Sequence, residues 1–464
     1  MPLTLREEQR AHNRQTALPI AQVGDAEIPI DRLAVAGMGL DAAYELITSD
    51  LLLDGQSRLN LATFVTTWMP SAAARLMAKT VDKNMIDKDE YPQTAEIEAR
   101  CVNILADLWH AQDHENATGC STTGSSEAAM LAGMALKWRW RERMQAAGKP
   151  TDRPNLVMGA NVQVCWEKFC RYWEIEPRLV PMEGDTFHLT AERAIAHCDE
   201  NTIGVVAILG STFDGSYEPV KEIADALDQL QEDRGLDILM HVDAASGGFV
   251  APFLAPDLEW DFRVKRVQSI NASGHKYGLV YPGVGWAIWR DKTALPKDLV
   301  FDVNYLGGHM PTFSLNFSRP GSEVVAQYFM FMTLGRDGYT AMMQSLQDVA
   351  THLSQGISEI GPYNLISEGK ELPVFAFALD PSVKNYTVFD VSDRLRERGW
   401  QVPAYAFPAN REDLTVLRIV VRAGMHMEMA DKLLEFIGVK TKALEALKYP
   451  LPPQDPDKAT AFKH

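Results

Sequence analysis

Ser269–Tyr277 reads SINASGHKY, a buried strand (Val267–Ile270) running into a polar turn that ends on Lys276. A lysine there stands at the carboxyl end of a strand, where open α/β sheets place their ligand sites. Upstream, Leu236–Ala245 (LDILMHVDAA) reads as a second strand, closing on Asp243. One strand ending on an acid and another ending on Ser-Gly-His-Lys suit a pyridoxal phosphate site. The lysine amine condenses with the cofactor aldehyde, while the acid pairs with the pyridinium nitrogen and keeps it protonated. A lysine after Gly-His is by itself an ordinary loop residue. Its weight comes from company.

The company is TTGSSEAAMLAGMALKWRWRERM, residues 122–144. Gly124-Ser125-Ser126 opens a helix with Glu127 in its first turn. Exposed N–H groups and the helix dipole make such an end an anion site, and small residues let a phosphate approach. A serine N-cap alone would also explain these residues. Paired with Lys276 they read as the cofactor's phosphate cradle.

From Pro154 onward short apolar runs recur at 156–158, 179–180, 205–209, 238–242, 267–270 and 285–289, with helical segments between several of them. Pro219–Asp233 is the clearest helix, with Val220, Ile223, Leu227 and Leu230 on one stripe and Gly235 closing it. This alternation predicts an α/β fold with a mostly parallel sheet covered on both faces. Glu96–His110 is also helical. Glu323–Ile360 is a long helical span with a break near Gly335–Gly338. Beyond it, strands at Leu372–Leu379 and Leu414–Val421 and helices at Phe389–Arg398 and Met427–Leu447 make a smaller α+β lobe. Before the main lobe, Asp41–Leu53 has helical spacing. The expected organisation is an N-terminal segment over 1–57, a large cofactor-binding domain over 58–347 and a small C-terminal domain with a flexible tail over 348–464.

The totals narrow the class. A chain of 464 residues needs more than one simple core, and 46% hydrophobic with 23% charged residues is ordinary for a globular protein. A net charge of −17 argues against nucleic acid and anionic membrane surfaces as partners. Five cysteines without metal spacing read as reduced thiols, no signal-like apolar segment opens the chain, and no run reaches membrane length. A cytoplasmic location is expected, with no metal.

HVDAASGGF (241–249) followed by SINASGHKYGL (269–279) resembles the pyridoxal-phosphate-dependent decarboxylases of fold type I, the bacterial glutamate decarboxylases in particular, and the similarity runs from about Asp54 to His464. The resemblance implies L-glutamate as substrate, 4-aminobutanoate and carbon dioxide as products, and acid-favoured activity. It implies cofactor contacts at Gly124, Ser125, Ser126, Gln163 (on the pyridine ring), Thr212, Asp243, Ala245, Ser273, His275, Lys276 and Ser318. It implies substrate contacts at Thr63, Phe64, Asn84, Asp87 and Arg422, with Arg422 on the α-carboxylate. Asn84 and Asp87 are expected to reach a neighbouring subunit's pocket, and Phe317 and Ser318 its cofactor phosphate. The partner is therefore a second copy: a homodimer at minimum, with a hexamer as the larger alternative. Glu167 departs from the enterobacterial pattern, which has His, so the pocket rim differs. Phe301–Ser318, with Gly307-Gly308, reads as a lid carrying Tyr305 as a catalytic candidate. The tail ends in AFKH, near the family's terminal signature, which implies that His464 regulates the site by pH. A decarboxylase of another amino acid, an aminotransferase, and a non-catalytic relative of the same fold remain open at this point.

Overall fold

The computed structural model describes residues 28–35, 37–304 and 310–452. The chain divides into two compact units, Met1–Ser57 and Arg58–His464. In the first, the helix expected over Asp41–Leu53 runs Leu40–Leu51 and buries none of its residues.

The second unit is built on a seven-stranded sheet: β1 (Thr118–Thr122), β2 (Asn155–Gly159), β3 (Glu176–Val180), β4 (Thr202–Ile208), β5 (Met240–Asp243), β6 (Val267–Ala272) and β7 (Gly285–Trp289). Their spatial order is β1-β7-β6-β5-β4-β2-β3. Strands β6 through β3 run parallel, whereas β7 is antiparallel to both β6 and β1. Every residue of β2, β4, β5 and β7 is buried, as expected of strands covered on both faces. The apolar runs located β2 to β7. They missed β1, whose TGCST is short, polar and Gly-containing, and which exists only because it pairs with β7.

The Ser125–Ala146 helix lies against β4, β6 and β7, with Ala128, Ala129, Leu131, Ala132, Ala135 and Leu136 buried. Its small residues allow a long helix to lie close on the sheet. The Val220–Arg234 helix buries the expected stripe and stops at Gly235, whose φ of 69° is the left-handed conformation a glycine supplies without penalty.

The C-terminal lobe carries an antiparallel sheet of β10 (Tyr363–Leu365), β11 (Val374–Leu379), β13 (Thr415–Val420) and β12 (Ala404–Ala406), in that order. It is joined to the large lobe by the helical span Ser322–Ile360, which breaks at Gly335 (φ 57°, ψ −170°), within the expected interval. β8 (Phe301–Val303) and β9 (Met310–Thr312) pair antiparallel within the stretch Phe301–Ser318. Tyr305 and His464 lie outside the described residues. All five cysteines are free thiols. No described helix is long and apolar enough to cross a membrane.

Candidate active site

Asp243 ends β5, Ile208 ends β4 and Ala272 ends β6, so three parallel strands deliver their carboxyl ends to one edge. A cavity of about 190 Å³ opens there, between Ser125, Ser126, Gln163, Asp243, His275 and Lys276 among others; Thr212 and Ala245 also line it. Of the sequence-predicted cofactor residues, Ser125, Ser126, Gln163, Thr212, Asp243, Ala245, His275 and Lys276 line it; Ser273 and Gly124 adjoin it through Ser125 and His275, and Ser318 does not.

Lys276 leaves β6 in a turn that the Asn60–Thr67 segment clamps. Thr66 N–H donates to His275 O (2.7 Å), and Thr66 Oγ1 donates to Lys276 O. The lysine Nζ lies 3.3 Å from Ser246 Oγ and 5.1 Å from the centroid of the Phe64 ring. Burial lowers the pKa of the amine, Asp243 and Cys165 oppose that shift, and the Arg418 guanidinium adds to it. The neutral, nucleophilic amine is thereby favoured relative to a lysine in water.

Asp243 is 6% exposed and accepts from three donors. Its Oδ1 accepts from Ala245 N–H (3.1 Å) and Asn271 Nδ2 (3.0 Å), and its Oδ2 accepts from Trp166 Nε1–H (2.8 Å). Three donors hold an anion in one orientation and leave Oδ2 with capacity for one more, on the cavity side. The pyridinium N–H of a bound pyridoxal phosphate would suit that place.

The phosphate end is equally defined. Ser273 Oγ bonds Ser125 Oγ (2.7 Å) at the start of the Ser125–Ala146 helix. His275 Nδ1 is buried without a protein partner, and burial together with Lys276 pushes the ring pKa down to about 4. A Cβ on Gly124 would stand 3.1 Å from His275 Cε1, so the glycine keeps the cradle open. On the other side, β7 approaches so closely that a Cβ on Gly285 would fall 2.3 Å from Gly124 C and 2.6 Å from Ser125 N. An orphaned ring nitrogen, two hydroxyls and a helix N-terminus around one cavity fit a phosphate, and the lysine and acid fit the rest of pyridoxal phosphate.

The remaining expected residues fall in three groups. Thr63 and Phe64 lie on the clamping segment; Thr63 Oγ1 accepts from Val65 N–H (3.2 Å) and Phe64 is buried beside Lys276. Gln163 caps its own helix, Oε1 accepting from Cys165 N–H at 2.6 Å, and lines the cavity. Arg422 follows β13 and is 4% exposed, with its pKa lowered to about 10 by burial. It donates to Val65 O (2.9 Å), Thr67 Oγ1 (2.8 Å) and Asn60 O, which ties the small lobe to that segment. Asn84, Asp87 and Ser318 gather elsewhere: Asn84 Nδ2 donates to Asp87 Oδ2 (3.0 Å) and Ser318 Oγ (3.3 Å), and none of the three lines this cavity.

Several site groups were not singled out from sequence. Ser246, Trp166 and Cys165 come from positions with no motif of their own. Arg418 bridges Thr212 O and Ala62 O and stacks on Phe64 (5.0 Å), pinning two loops of the site. Glu127 accepts from Thr123 N–H (2.8 Å), Leu315 N–H (3.0 Å) and Asn316 Nδ2 (3.1 Å), tying residues 315–316 to the Ser125–Ala146 helix. Glu218 is buried under the site, accepting from Asn161 Nδ2 (3.0 Å), Leu189 N–H (2.8 Å) and Ile208 N–H (2.7 Å). Asn271 and His241 did carry a signal: each is spaced by two along a buried strand, which puts polar residues on one face.

Fold and site together define a pyridoxal-phosphate enzyme of the open α/β type. The model of the pyridoxal-dependent decarboxylase conserved domain matches residues 39–380, and the chain belongs to that family. It is 60% identical over 393 residues to a glutamate decarboxylase of Aliivibrio fischeri, with 84% of each chain covered. It is similar to the solved Lactobacillus brevis glutamate decarboxylase, with a TM-score of 0.88 and 47% identity over 91% of this chain and 96% of that one. The Burkholderia pseudomallei sphingosine-1-phosphate lyase shares the fold at 21% identity (TM-score 0.76, 89% and 93% covered).

Proposed function

We propose that this protein decarboxylates L-glutamate to 4-aminobutanoate and carbon dioxide, using pyridoxal phosphate. The observation that carries the reading is the convergence of Lys276, Asp243 and the Ser125–Ser273–His275 cradle on one cavity. Similarity to named glutamate decarboxylases over most of the chain supports the choice of substrate. When bound, pyridoxal phosphate supplies the electron sink that accepts the bonding pair as carbon dioxide leaves.

The chain's own residues do the rest. Ser125, Ser126, Ser273 and His275 would hold the phosphate, and Gln163 and Ala245 would hold the ring. Asp243 would keep the proton on the ring nitrogen. Lys276 Nζ would hold the aldehyde end of the cofactor, and it lies close enough to Ser246 to hand over or take up a proton. Arg422 offers a planar fork to the α-carboxylate, which charge-assisted hydrogen bonds fix. Thr63 and Phe64 frame the distal carboxylate. Asn84 and Asp87 are not at their own chain's cavity, which supports their serving a second copy, so that the working form is at least a homodimer and the hexamer a further stage. Asp87 beside a substrate carboxylate favours acid conditions, since two such charges cannot both ionise at close range. Tyr305 is the proposed lid residue and His464 the proposed pH-dependent regulator. The composition and the lack of a membrane-length described helix agree with a cytoplasmic location.

The test is a panel of amino acids assayed for carbon dioxide and amine at about pH 4.5 and about pH 7, with Lys276→Ala as control. Glutamate should be the preferred substrate, and the variant should lose both turnover and the coloured cofactor adduct. Faster release from aspartate or an aromatic amino acid would sink the substrate assignment. Turnover by Lys276→Ala would sink the site.

A further inference from the structure

We propose that His241 is a positioning residue for Asp243: held as the Nε2–H tautomer between Ser269 and Asn271, it fixes the Asn271 amide so that its N–H, not its oxygen, faces the acid. The idea rests on the cofactor reading above. His241 lies two residues before Asp243 on β5, and Ser269 and Asn271 oppose these two residues in the β5–β6 register. All four side chains therefore share one face.

The ring is fully buried, 5.2 Å from that of Trp166. Its Nδ1 stands 2.8 Å from Ser269 Oγ and its Nε2 2.6 Å from Asn271 Oδ1. An ionised Asp243 can only accept, so Asn271 must present Nδ2 to it. The amide oxygen then faces His241, which must donate from Nε2. A neutral ring leaves Nδ1 as an acceptor, and the Ser269 hydroxyl fills it. Burial holds the ring pKa down to about 4, which agrees with a neutral ring.

The other tautomer is incompatible with the rest. With the proton on Nδ1, the Nε2 lone pair meets the Asn271 oxygen. Turning the amide relieves that clash but points the oxygen at the Asp243 carboxylate at 3.0 Å. In a site closed to water, either arrangement leaves facing acceptors, which is costly. Ser269, His241, Asn271 and Asp243 thus form a one-way chain of donors ending on Oδ1. With Ala245 and Trp166 completing the shell, the remaining Oδ2 lone pair points at the cavity.

The test has two arms. Histidine-15N-labelled apoprotein, with the His241 signals assigned by their absence in His241→Phe or, should that variant not fold, by their shift in Ser269→Ala, should show the neutral Nε2–H pattern from about pH 5 to about pH 8. An Nδ1–H or doubly protonated pattern overturns the proposal. In the second arm, pyridoxal phosphate affinity and the absorbance of the bound cofactor are read in His241→Phe, Asn271→Leu and the double variant. His241→Phe should weaken binding by about tenfold and shift the band, and the double variant should be no worse than Asn271→Leu alone. Additive losses, or an unshifted band, overturn the proposal. If wild-type protein bound no pyridoxal phosphate, the cofactor reading would fail while the tautomer result stood independently.

Discussion

Gly285 is the residue whose replacement should most cleanly separate the cradle from the rest of the protein. It begins β7 beside the start of the Ser125–Ala146 helix, with β1 as its ladder partner at Thr122. Its backbone conformation does not demand glycine; the lack of a side chain does. A Cβ would stand 2.3 Å from Gly124 C, 2.6 Å from Ser125 N and 2.7 Å from Gly124 O, all of them backbone atoms. Ordinary contact needs about 3.5 Å, so Gly285→Ala must push the helix N-terminus off by roughly 1 Å. Overpacking of this kind costs about 1–3 kcal/mol of stability. At the cradle the loss is larger in effect. If the displaced N-terminus forfeits two charge-assisted phosphate bonds at about 1.5–3 kcal/mol each, affinity for pyridoxal phosphate falls by roughly 100- to 10,000-fold. The assay is cofactor titration by absorbance and tryptophan quenching, with circular dichroism and thermal melting as controls for folding. A folded Gly285→Ala protein that binds within threefold of wild type would refute the claim that close helix–strand approach builds the phosphate site.

Three further outcomes are expected. Burial raises the Glu218 carboxyl to about 7, against the hydrogen bonds that favour its anion. The folded state therefore holds a proton that the unfolded chain has released, and wild-type stability should decline by roughly 3 kcal/mol between about pH 4.5 and about pH 7 relative to Glu218→Gln in paired denaturant titrations; parallel curves would contradict this. Arg422→Lys keeps the charge but cannot reproduce the fork shared among Val65 O, Thr67 Oγ1 and a carboxylate, so kcat/KM for glutamate should drop by about 100-fold, and a change under fivefold would remove its proposed role. Deleting Phe462–His464 should extend activity to higher pH; an unchanged pH–rate profile would dismiss the tail as a regulator.

Most of the central sheet was legible because burial on both faces forces nearly continuous apolar runs, and the runs located β2 to β7, the largely exposed β3 by only two residues, without any knowledge of pairing. Strand β1 was not legible for the complementary reason: TGCST has no strand signature, and only its distant partner makes it a strand. The site divides the same way. Lys276, Asp243 and Ser125 announce themselves because chemistry places them at strand ends and a helix start. Trp166, Arg418 and Glu218 reach the site across the fold, bridging elements far apart in sequence, and a linear pattern carries no trace of such bridges. Arg422 could be placed at a strand end, yet its grip on Asn60–Thr67 appears only when the small lobe meets that segment.

The pairing of β1 with β7 joins strands more than 160 residues apart. During synthesis the phosphate-binding helix leaves the ribosome long before the lysine turn and the strand that braces it. A nascent chain halted short of Lys276 owns the helix end of the pocket without the amine that anchors the vitamin, and one halted short of Gly285 lacks the strand that abuts Gly124 and Ser125. Stable loading therefore waits on a pairing made across most of the large lobe, and a protein stripped of that ladder would stay colourless.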